Sequence, residues 1–222
     1  MVDLIIWDCD GCLIDSEHLS AEAEAECLRE VGLEIDAQGV IDRFTGMTGR
    51  DLFVALEAEL GRDVSGHPAF DRLYERVFEI FERELQAVAG VHEALAELDH
   101  MPMAIASGAS HRHLKFGLSH TGLYDRFEGK IVSAQDVARG KPAPDVFLRA
   151  AELMKTEPNR CLVIEDSPRG MQGAHAAGMH CFGFTGATHG GERLHKQLAD
   201  QNPVLIFDHM HQLPGLFAEF KQ

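Results

Sequence analysis

The stretch Leu4-Ile5-Ile6-Trp7-Asp8-Cys9-Asp10-Gly11 sets two carboxylates, two residues apart, directly after an apolar run. A short apolar run rich in β-branched side chains fits a strand buried on both faces of a sheet. Asp8 and Asp10 then stand at its carboxyl end, and Gly11 lets the chain turn away. Like charges held this close raise the pKa of one carboxyl or require a cation between them. A hard divalent cation with oxygen ligands meets that requirement. Taken alone, Asp-x-Asp-Gly is equally a plain strand end and turn, so its meaning depends on what else the chain brings to the same place.

Three other segments carry side chains of matching chemistry. Ser107-Gly108 follows the short apolar run Met103–Ala106, Lys141 lies in Gly140-Lys141-Pro142 ahead of a helical pattern, and Glu165-Asp166 follows the apolar run Cys161–Ile164. In open α/β sheets, ligands bind just beyond the carboxyl ends of the strands. If these runs are neighbouring parallel strands, several carboxylates, a hydroxyl with backbone N–H groups and an ammonium converge on one edge. The carboxylates suit Mg²⁺. Ser107, the N–H groups of Gly108 and beyond, and Lys141 suit a phosphate. Each segment also admits a plain role: Ser107 as a helix N-cap, Lys141 as a loop lysine, and Glu165-Asp166-Ser167-Pro168 as a capping segment with proline at the first helical position. The case rests on their sharing one edge.

The elements that must position these residues can be read from periodicity. After Gly90 helix and strand alternate. Helices are expected over 91–98, 110–119, 144–154 and 168–177, with strands over 103–106, 130–133, 161–164, 179–184 and 204–207 and a short C-terminal helix. Regular alternation implies a doubly wound parallel sheet of Rossmann-like α/β class. Between the first strand and this block the pattern is helical. Ser16 is a plausible N-cap, Ala21–Val31 has strong helix propensity, Asp36–Phe44 follows, another helix ends near Gly61, and a last one is expected from Pro68 to Leu85. Phe70, Leu73, Tyr74, Val77, Phe78 and Phe81 recur at helical spacing in that last helix and read as bundle core. The expected organisation is therefore a catalytic core of residues 1–15 and 89–222, interrupted by a small helical cap of residues 16–88.

Composition limits the partners. The chain has 222 residues, 45% hydrophobic and 25% charged, as in an ordinary globular protein. No apolar stretch approaches the ~20 residues of a membrane span, and the N-terminus enters the first strand without a basic leader. A cytoplasmic protein without a membrane partner is expected. A net charge of −16 argues against nucleic acid, so an anionic substrate needs a local positive feature such as Lys141. Five cysteines, an odd number, argue against a disulfide framework. Cys9-x-x-Cys12 is interleaved with Asp8 and Asp10, which raise thiol pKa values and oppose a redox role. The thirteen histidines show no helical ligand pair and read mostly as surface residues.

With these residues in view, the chain resembles the haloacid dehalogenase-like phosphohydrolases. The resemblance rests on Asp8-Cys9-Asp10-Gly11, Ser107, Lys141 in Gly-Lys-Pro-Ala-Pro-Asp, and Glu165-Asp166-Ser167-Pro168-Arg169-Gly170, in that order along almost the whole chain. The helical insertion is similar to the cap of the β-phosphoglucomutase-like subgroup. The resemblance implies that Asp8 attacks phosphorus to form an aspartyl phosphate, and that Asp10 protonates the leaving oxygen and then activates water. It implies Mg²⁺ held by Asp8, the Asp10 carbonyl and Asp166, with Glu165 at the metal directly or through water. It also implies phosphoryl oxygens held by Ser107, Gly108 and Lys141, and a cap that closes over the site. The loop Gly46–Arg50 is the candidate for substrate contact, with Arg50 either meeting a second anionic group or standing as a solvated arginine at a helix start. The substrate implied is a small phosphorylated metabolite, a sugar phosphate.

Three competing functions differ in residues. A phosphosugar mutase of this subgroup carries a cap histidine ten residues after its second catalytic aspartate, where this chain has Ser20 with His18 nearby. A metal-free dehalogenase lacks the second aspartate that Asp10 supplies. A non-catalytic phospho-acceptor also uses a strand-end aspartate with Mg²⁺, but without a leaving-group acid two residues on or a helical insertion.

Overall fold

The computed structural model describes residues 2–44 and 49–221, with side chains described for 2–44 and 51–221. The chain divides into two compact units, Met1–Asp15 with Gln86–Gln222, and Ser16–Leu85.

The first unit is built on six strands: β1 (Leu4–Trp7), β2 (Met103–Ser107), β3 (Ile131–Ser133), β4 (Cys161–Glu165), β5 (His180–Phe184) and β6 (Leu205–Phe207). All pairings are parallel, in the order β3-β2-β1-β4-β5-β6. The chain builds outward from β1 on one side, then crosses back to β4 and builds outward on the other. The junction of β1 and β4 is thus the topological switch point, where a crevice opens at the carboxyl edge. Register puts Trp7 opposite Ile164, so Asp8 and Glu165 leave their strands side by side, and the Asp8 N–H donates to the Ile164 carbonyl at 2.9 Å. On the other flank Trp7 pairs with Ile105, which sets Ser107 two residues further along the same edge.

The four β1 side chains are completely buried, alternating between the two faces. Leu4 and Ile6 belong to a core with Val146, Phe147 and Ala150, and with Met171 and Ala174. Each such side chain contributes about 1.5–3 kcal/mol by leaving water, which is why this strand tolerates no polar residue before Asp8.

The helical unit holds α1 (Glu17–Glu30), α2 (Ala37–Phe44), α3 (Gly49–Leu60), α4 (Pro68–Asp71) and α5 (Leu73–Glu84). Its core gathers Leu28, Val31, Leu33, Val40, Phe44, Leu56 and Val64, with Phe53 and Phe70 edge-on at 5.0 Å. Two expectations fail here. The single helix expected from Pro68 to Leu85 breaks at Arg72. There α4, a single turn started by Pro68 with the His67 Nδ1 accepting from the Ala69 N–H, gives way to α5, whose first bond runs to the Arg72 carbonyl. Tyr74, expected in the core, is 59% exposed, because the inward face of α5 is set by Val77, Phe78, Ile80 and Phe81. Ser16 does precede α1, but its hydroxyl makes no capping bond.

Around the sheet lie α6 (Val91–Glu97), α7 (His111–His120), α8 (Tyr124–Phe127), α9 (Asp145–Leu153), α10 (Pro168–Ala176), α11 (Glu192–Ala199) and α12 (Leu213–Phe220). Helices α9, α10 and α11 supply one face of the core. On the other face Phe220 of α12 meets Phe182 edge-on at 5.3 Å. Helices α8 and α11 are not anticipated by periodicity. One is a single turn, and the other buries only Leu198. Among the described residues no helix is long and apolar enough to cross a membrane.

Candidate active site

The turn after β1 is tight. Leu13 and Ile14 N–H groups both donate to the Cys9 carbonyl, and Gly11 N–H donates to Ile14. Gly11 has φ +76°, which a side chain opposes, and a Cβ there would overlap Asp166 Oδ2 and stand 2.7 Å from His189 Cε1. Only glycine lets the turn lie this close to the next strand's carboxylate. The chain leaves this unit after Asp15 and returns alongside itself, with Asp15 N–H donating to Gln86 O at 3.0 Å and Val88 N–H to Leu13 O at 3.0 Å.

The switch point brings Asp8, Lys141, Glu165 and Asp166 together. Lys141 Nζ lies 2.9 Å from Asp8 Oδ1 and 2.8 Å from Glu165 Oε2, with only 9% of its side chain exposed. Asp8, Glu165 and Asp166 each present a carboxylate oxygen within 4.8 Å of the others, all buried. The lysine is carried on the segment between β3 and α9. Its carbonyl accepts from the Arg169 guanidinium at 2.8 Å, its ammonium lies 5.1 Å from the Phe147 ring centre, and its peptide to Pro142 is cis. Glu165 is fully buried with both oxygens occupied. Oε2 accepts from Lys141, and Oε1 accepts from the Ser167 hydroxyl at 2.7 Å and from its N–H at 3.2 Å. Ser167 in turn caps α10 by accepting from the Gly170 N–H.

The electrostatics follow from burial and crowding. Burial pushes the Asp8 carboxyl well above the carboxylate range and Glu165 pushes it further, while Lys141 opposes both. Burial also raises Asp166, against the hydrogen bond from His189. Burial pulls the Lys141 ammonium down, but Asp8 and Glu165 outweigh it and the net shift is upward. Three carboxylates against one ammonium leave the cluster short of positive charge, and the donor set is all oxygen, which suits a hard dication.

The other candidates sit around this cluster. Asp10, partly exposed, bonds through Oδ1 to His113 Nε2 at 2.8 Å. Ser107 is buried at the end of β2, where its hydroxyl accepts from the Ala109 N–H at 3.0 Å. It is not the helix cap. That place belongs to Ser110, which accepts from the His113 N–H. Gly108 is exposed beside it. Residues 46–48 of the expected substrate-contact loop and the Arg50 side chain lie outside the described residues.

Two histidines at the cluster escape a reading that treats histidines as surface groups. His113 lies in the first turn of α7, whose N-terminus opens at the carboxyl edge of β2. His189 follows the carboxyl end of β5, and its Nε2 lies 3.0 Å from Asp166 Oδ2. The rule that strand ends carry the site, applied to β5 as well as to β1, β2 and β4, points to the segment containing His189. Burial pushes the Cys9 and Cys12 thiols well up, with Asp10 and Asp8 adding to Cys9 and Asp166 and Asp8 to Cys12, which opposes thiolate formation in this Cys-x-x-Cys.

Comparison with known proteins agrees with this geometry. Residues 5–184 match the haloacid dehalogenase-like hydrolase family. The 6-phosphogluconate phosphatase of Escherichia coli (strain K12) is 27% identical over 216 residues, covering 97% of this chain and 95% of that protein. Fructose-1-phosphate phosphatase YqaB of the same strain is 31% identical over 175 residues, covering 79% and 92%. The crystal structure of ATU0790 from Agrobacterium tumefaciens str. C58, a conserved haloacid dehalogenase-like protein of unknown function, superposes with a TM-score of 0.90 at 36% identity over 100% of both chains. The chain belongs to the haloacid dehalogenase-like hydrolases and is a phosphatase of that family.

Proposed function

We propose that this phosphatase is a Mg²⁺-dependent phosphomonoester hydrolase that acts on a small sugar phosphate through an aspartyl phosphate on Asp8. The observation that carries the reading is Lys141 Nζ lying between Asp8 Oδ1 and Glu165 Oε2, at 2.9 and 2.8 Å, inside a buried carboxylate cluster. The sugar-phosphate assignment rests on what the two phosphatase relatives are named for.

Asp8, Asp166 and the Asp10 carbonyl would hold Mg²⁺, which when bound supplies charge neutralisation for the phosphoryl group and for the crowded carboxylates. Glu165, whose oxygens accept from Lys141 and Ser167, would hold the Lys141 ammonium at the edge of the metal site and meet the metal directly or through water. Asp8 Oδ1 is tied by Lys141 and by the Cys9 N–H at 2.8 Å, which leaves Oδ2 to attack phosphorus. In the first step the Asp8 O–P bond forms, the bond from phosphorus to the sugar oxygen breaks, and the Asp10 carboxyl gives its proton to that oxygen. In the second step Asp10 takes a proton from water, the water oxygen bonds to phosphorus, and the Asp8 O–P bond breaks. His113 holds Asp10 in place for both proton transfers. Lys141, Ser107 and the N–H groups after it steady the phosphoryl oxygens.

The test is phosphate release with Mg²⁺ from a panel that includes 6-phosphogluconate, fructose 1-phosphate and β-glucose 1-phosphate. Hydrolysis of a phosphosugar, lost on chelation and abolished in Asp8→Asn, is expected. Wild-type turnover by Asp8→Asn would refute the nucleophile. Isomerisation of β-glucose 1-phosphate without free phosphate would replace hydrolysis by mutase activity, and tight Mg²⁺ binding without turnover would make the chain a phospho-acceptor.

A further inference from the structure

The segment after β5 performs two jobs with adjacent residues. Thr188 grips Asp15: its N–H donates to Oδ1 at 3.1 Å, and its hydroxyl donates to Oδ2. His189 turns the other way and places Nε2 3.0 Å from Asp166 Oδ2. The segment is tied to the sheet at its start and folded on itself at its end. Thr185 N–H donates to the Phe207 carbonyl at 3.0 Å, Gly190 N–H donates to the Ala187 carbonyl at 2.8 Å, and the Ala187 side chain is buried. The His189 ring is itself packed, with 10% of its side chain exposed, against the backbone of Gly11 where no Cβ fits. A chain this firmly seated delivers its imidazole to a single place.

We propose that Thr185–Gly190 is a positioning strap for the metal site, in which Thr188 anchors the strap on Asp15 and His189 orients the Asp166 carboxylate. The inference rests on the reading of Asp166 as a metal ligand. Opposite an ionised carboxylate, Nε2 is the protonated nitrogen and donates. With Oδ2 tied, the carboxylate cannot swing, and Oδ1 is the oxygen presented to a cation. Fixing a ligand through its second oxygen is worth about 10–100-fold in metal affinity. Thr188 bonds Asp15 and would act on the site through the placement of His189.

The test is Mg²⁺ binding to the full chain without substrate, followed by titration calorimetry and by the metal-dependent rise in melting temperature. His189→Ala is expected to weaken Mg²⁺ binding by about 10–100-fold. Its KM for substrate at saturating Mg²⁺ should stay at the wild-type value. Thr188→Ala should weaken binding in the same direction by a smaller factor, and the double variant should bind no more weakly than His189→Ala alone. His189→Gln, whose carboxamide N–H can reach the same oxygen, should recover part of the loss, and it carries the test with Thr188→Ala if His189→Ala does not fold. Folded His189 variants with affinity within twofold of wild type, or full additivity of the two changes, would overturn the strap. Asp166→Asn separates the two levels. If it abolishes Mg²⁺ binding while the His189 variants change nothing, only the strap falls. If it binds Mg²⁺ as wild type does, the ligand assignment falls and the strap with it.

Discussion

Gly170 offers a test of how rigidly the cluster is held, using a single methyl group. It lies in α10, behind Glu165, and its backbone has ordinary helical dihedrals. By propensity alone, alanine there should stabilise the helix by about 0.5–1 kcal/mol. A Cβ at this position, however, would overlap Glu165 Cδ and both carboxylate oxygens, well inside the 3.0 Å that real Cβ atoms keep. The far end of a glutamate normally moves aside. Here it cannot do so without losing its bonds to Lys141 at 2.8 Å and to the Ser167 hydroxyl at 2.7 Å, and it has no solvent to move into. Hydrogen bonds to charged groups contribute about 1.5–3 kcal/mol each, and overpacking adds roughly 1–3 kcal/mol. The loss therefore outweighs the propensity gain, and Gly170→Ala should destabilise the protein by about 2–5 kcal/mol.

At this chain length such a loss lowers the melting temperature by roughly 4–20 °C. The assay is thermal and urea unfolding in chelator, with Gly215→Ala as the internal control. Gly215 is also helical, in α12, but a Cβ there meets nothing within 4 Å. That variant should be unchanged or gain up to about 1 kcal/mol. Displaced Glu165 also releases one of the two carboxylates on Lys141, so turnover should fall with stability. A Gly170→Ala protein that melts at or above wild type would show that the Glu165 carboxylate is not pinned by Lys141 and Ser167.

Further expectations follow from the same contacts. His113→Ala should cost turnover about tenfold or more on sugar phosphates, yet much less on an aryl phosphate, whose leaving group needs no proton; equal losses on both would separate His113 from the acid role of Asp10. Asp8 and Asp166 have folded-state pKa values raised above those of the unfolded chain, first by burial. Their contribution to metal-free stability is thus full below the unfolded value of about 4 and is lost as pH rises through the folded values. Protons and Mg²⁺ then compete, so the Mg²⁺-induced rise in melting temperature should shrink as pH is lowered from neutral, and a rise independent of pH would count against this. Burial raises all five thiols, Cys161 to about 12. The native protein should therefore react negligibly with a thiol-disulfide reagent at mildly alkaline pH and titrate as five thiols once unfolded; rapid labelling of the folded form would contradict the burial.

The sheet and its acidic edge were legible because the signals are local and strong. Leu4–Trp7 is apolar without interruption and then stops at two carboxylates, and Cys161–Ile164 repeats the pattern before Glu165-Asp166. Strand order was not legible from these runs, since periodicity shows that strands alternate with helices but not that β1 lies between β2 and β4. Tyr74 and the break at Arg72 escaped because helical spacing identifies a face without saying how far neighbouring helices cover it. The contacts that hold the site were hidden for a different reason. Thr188 and Asp15 are 173 residues apart, and His113 and Asp10 are 103 apart. A lone histidine in a helix turn or a loop carries no periodic signal, and its meaning comes only from the strand end that the fold places beside it.

That placement also explains how one lysine can serve a site with three buried carboxylates. If all three shared Lys141 equally, none would be held firmly, and removing several ions from water costs several kcal/mol apiece. The contacts are divided instead. Glu165 has both oxygens bound within the protein, one of them by the Lys141 ammonium. Asp8 has one oxygen bound to that ammonium and to a backbone N–H. Asp166 lies on the opposite arrangement, with one oxygen bound to an imidazole from another loop. Each of these two aspartates is thus held through one oxygen, and in the proposed mechanism would keep the other for chemistry. Burial first, and Glu165 beside them, raise the Asp8 and Asp166 carboxyls, so added positive charge would favour their ionised forms. A second lysine would supply that charge permanently and would compete with the phosphoryl group for the Asp8 oxygen. In the proposed mechanism a dication bound by oxygen alone would supply the charge and leave an Asp8 oxygen exposed to phosphorus.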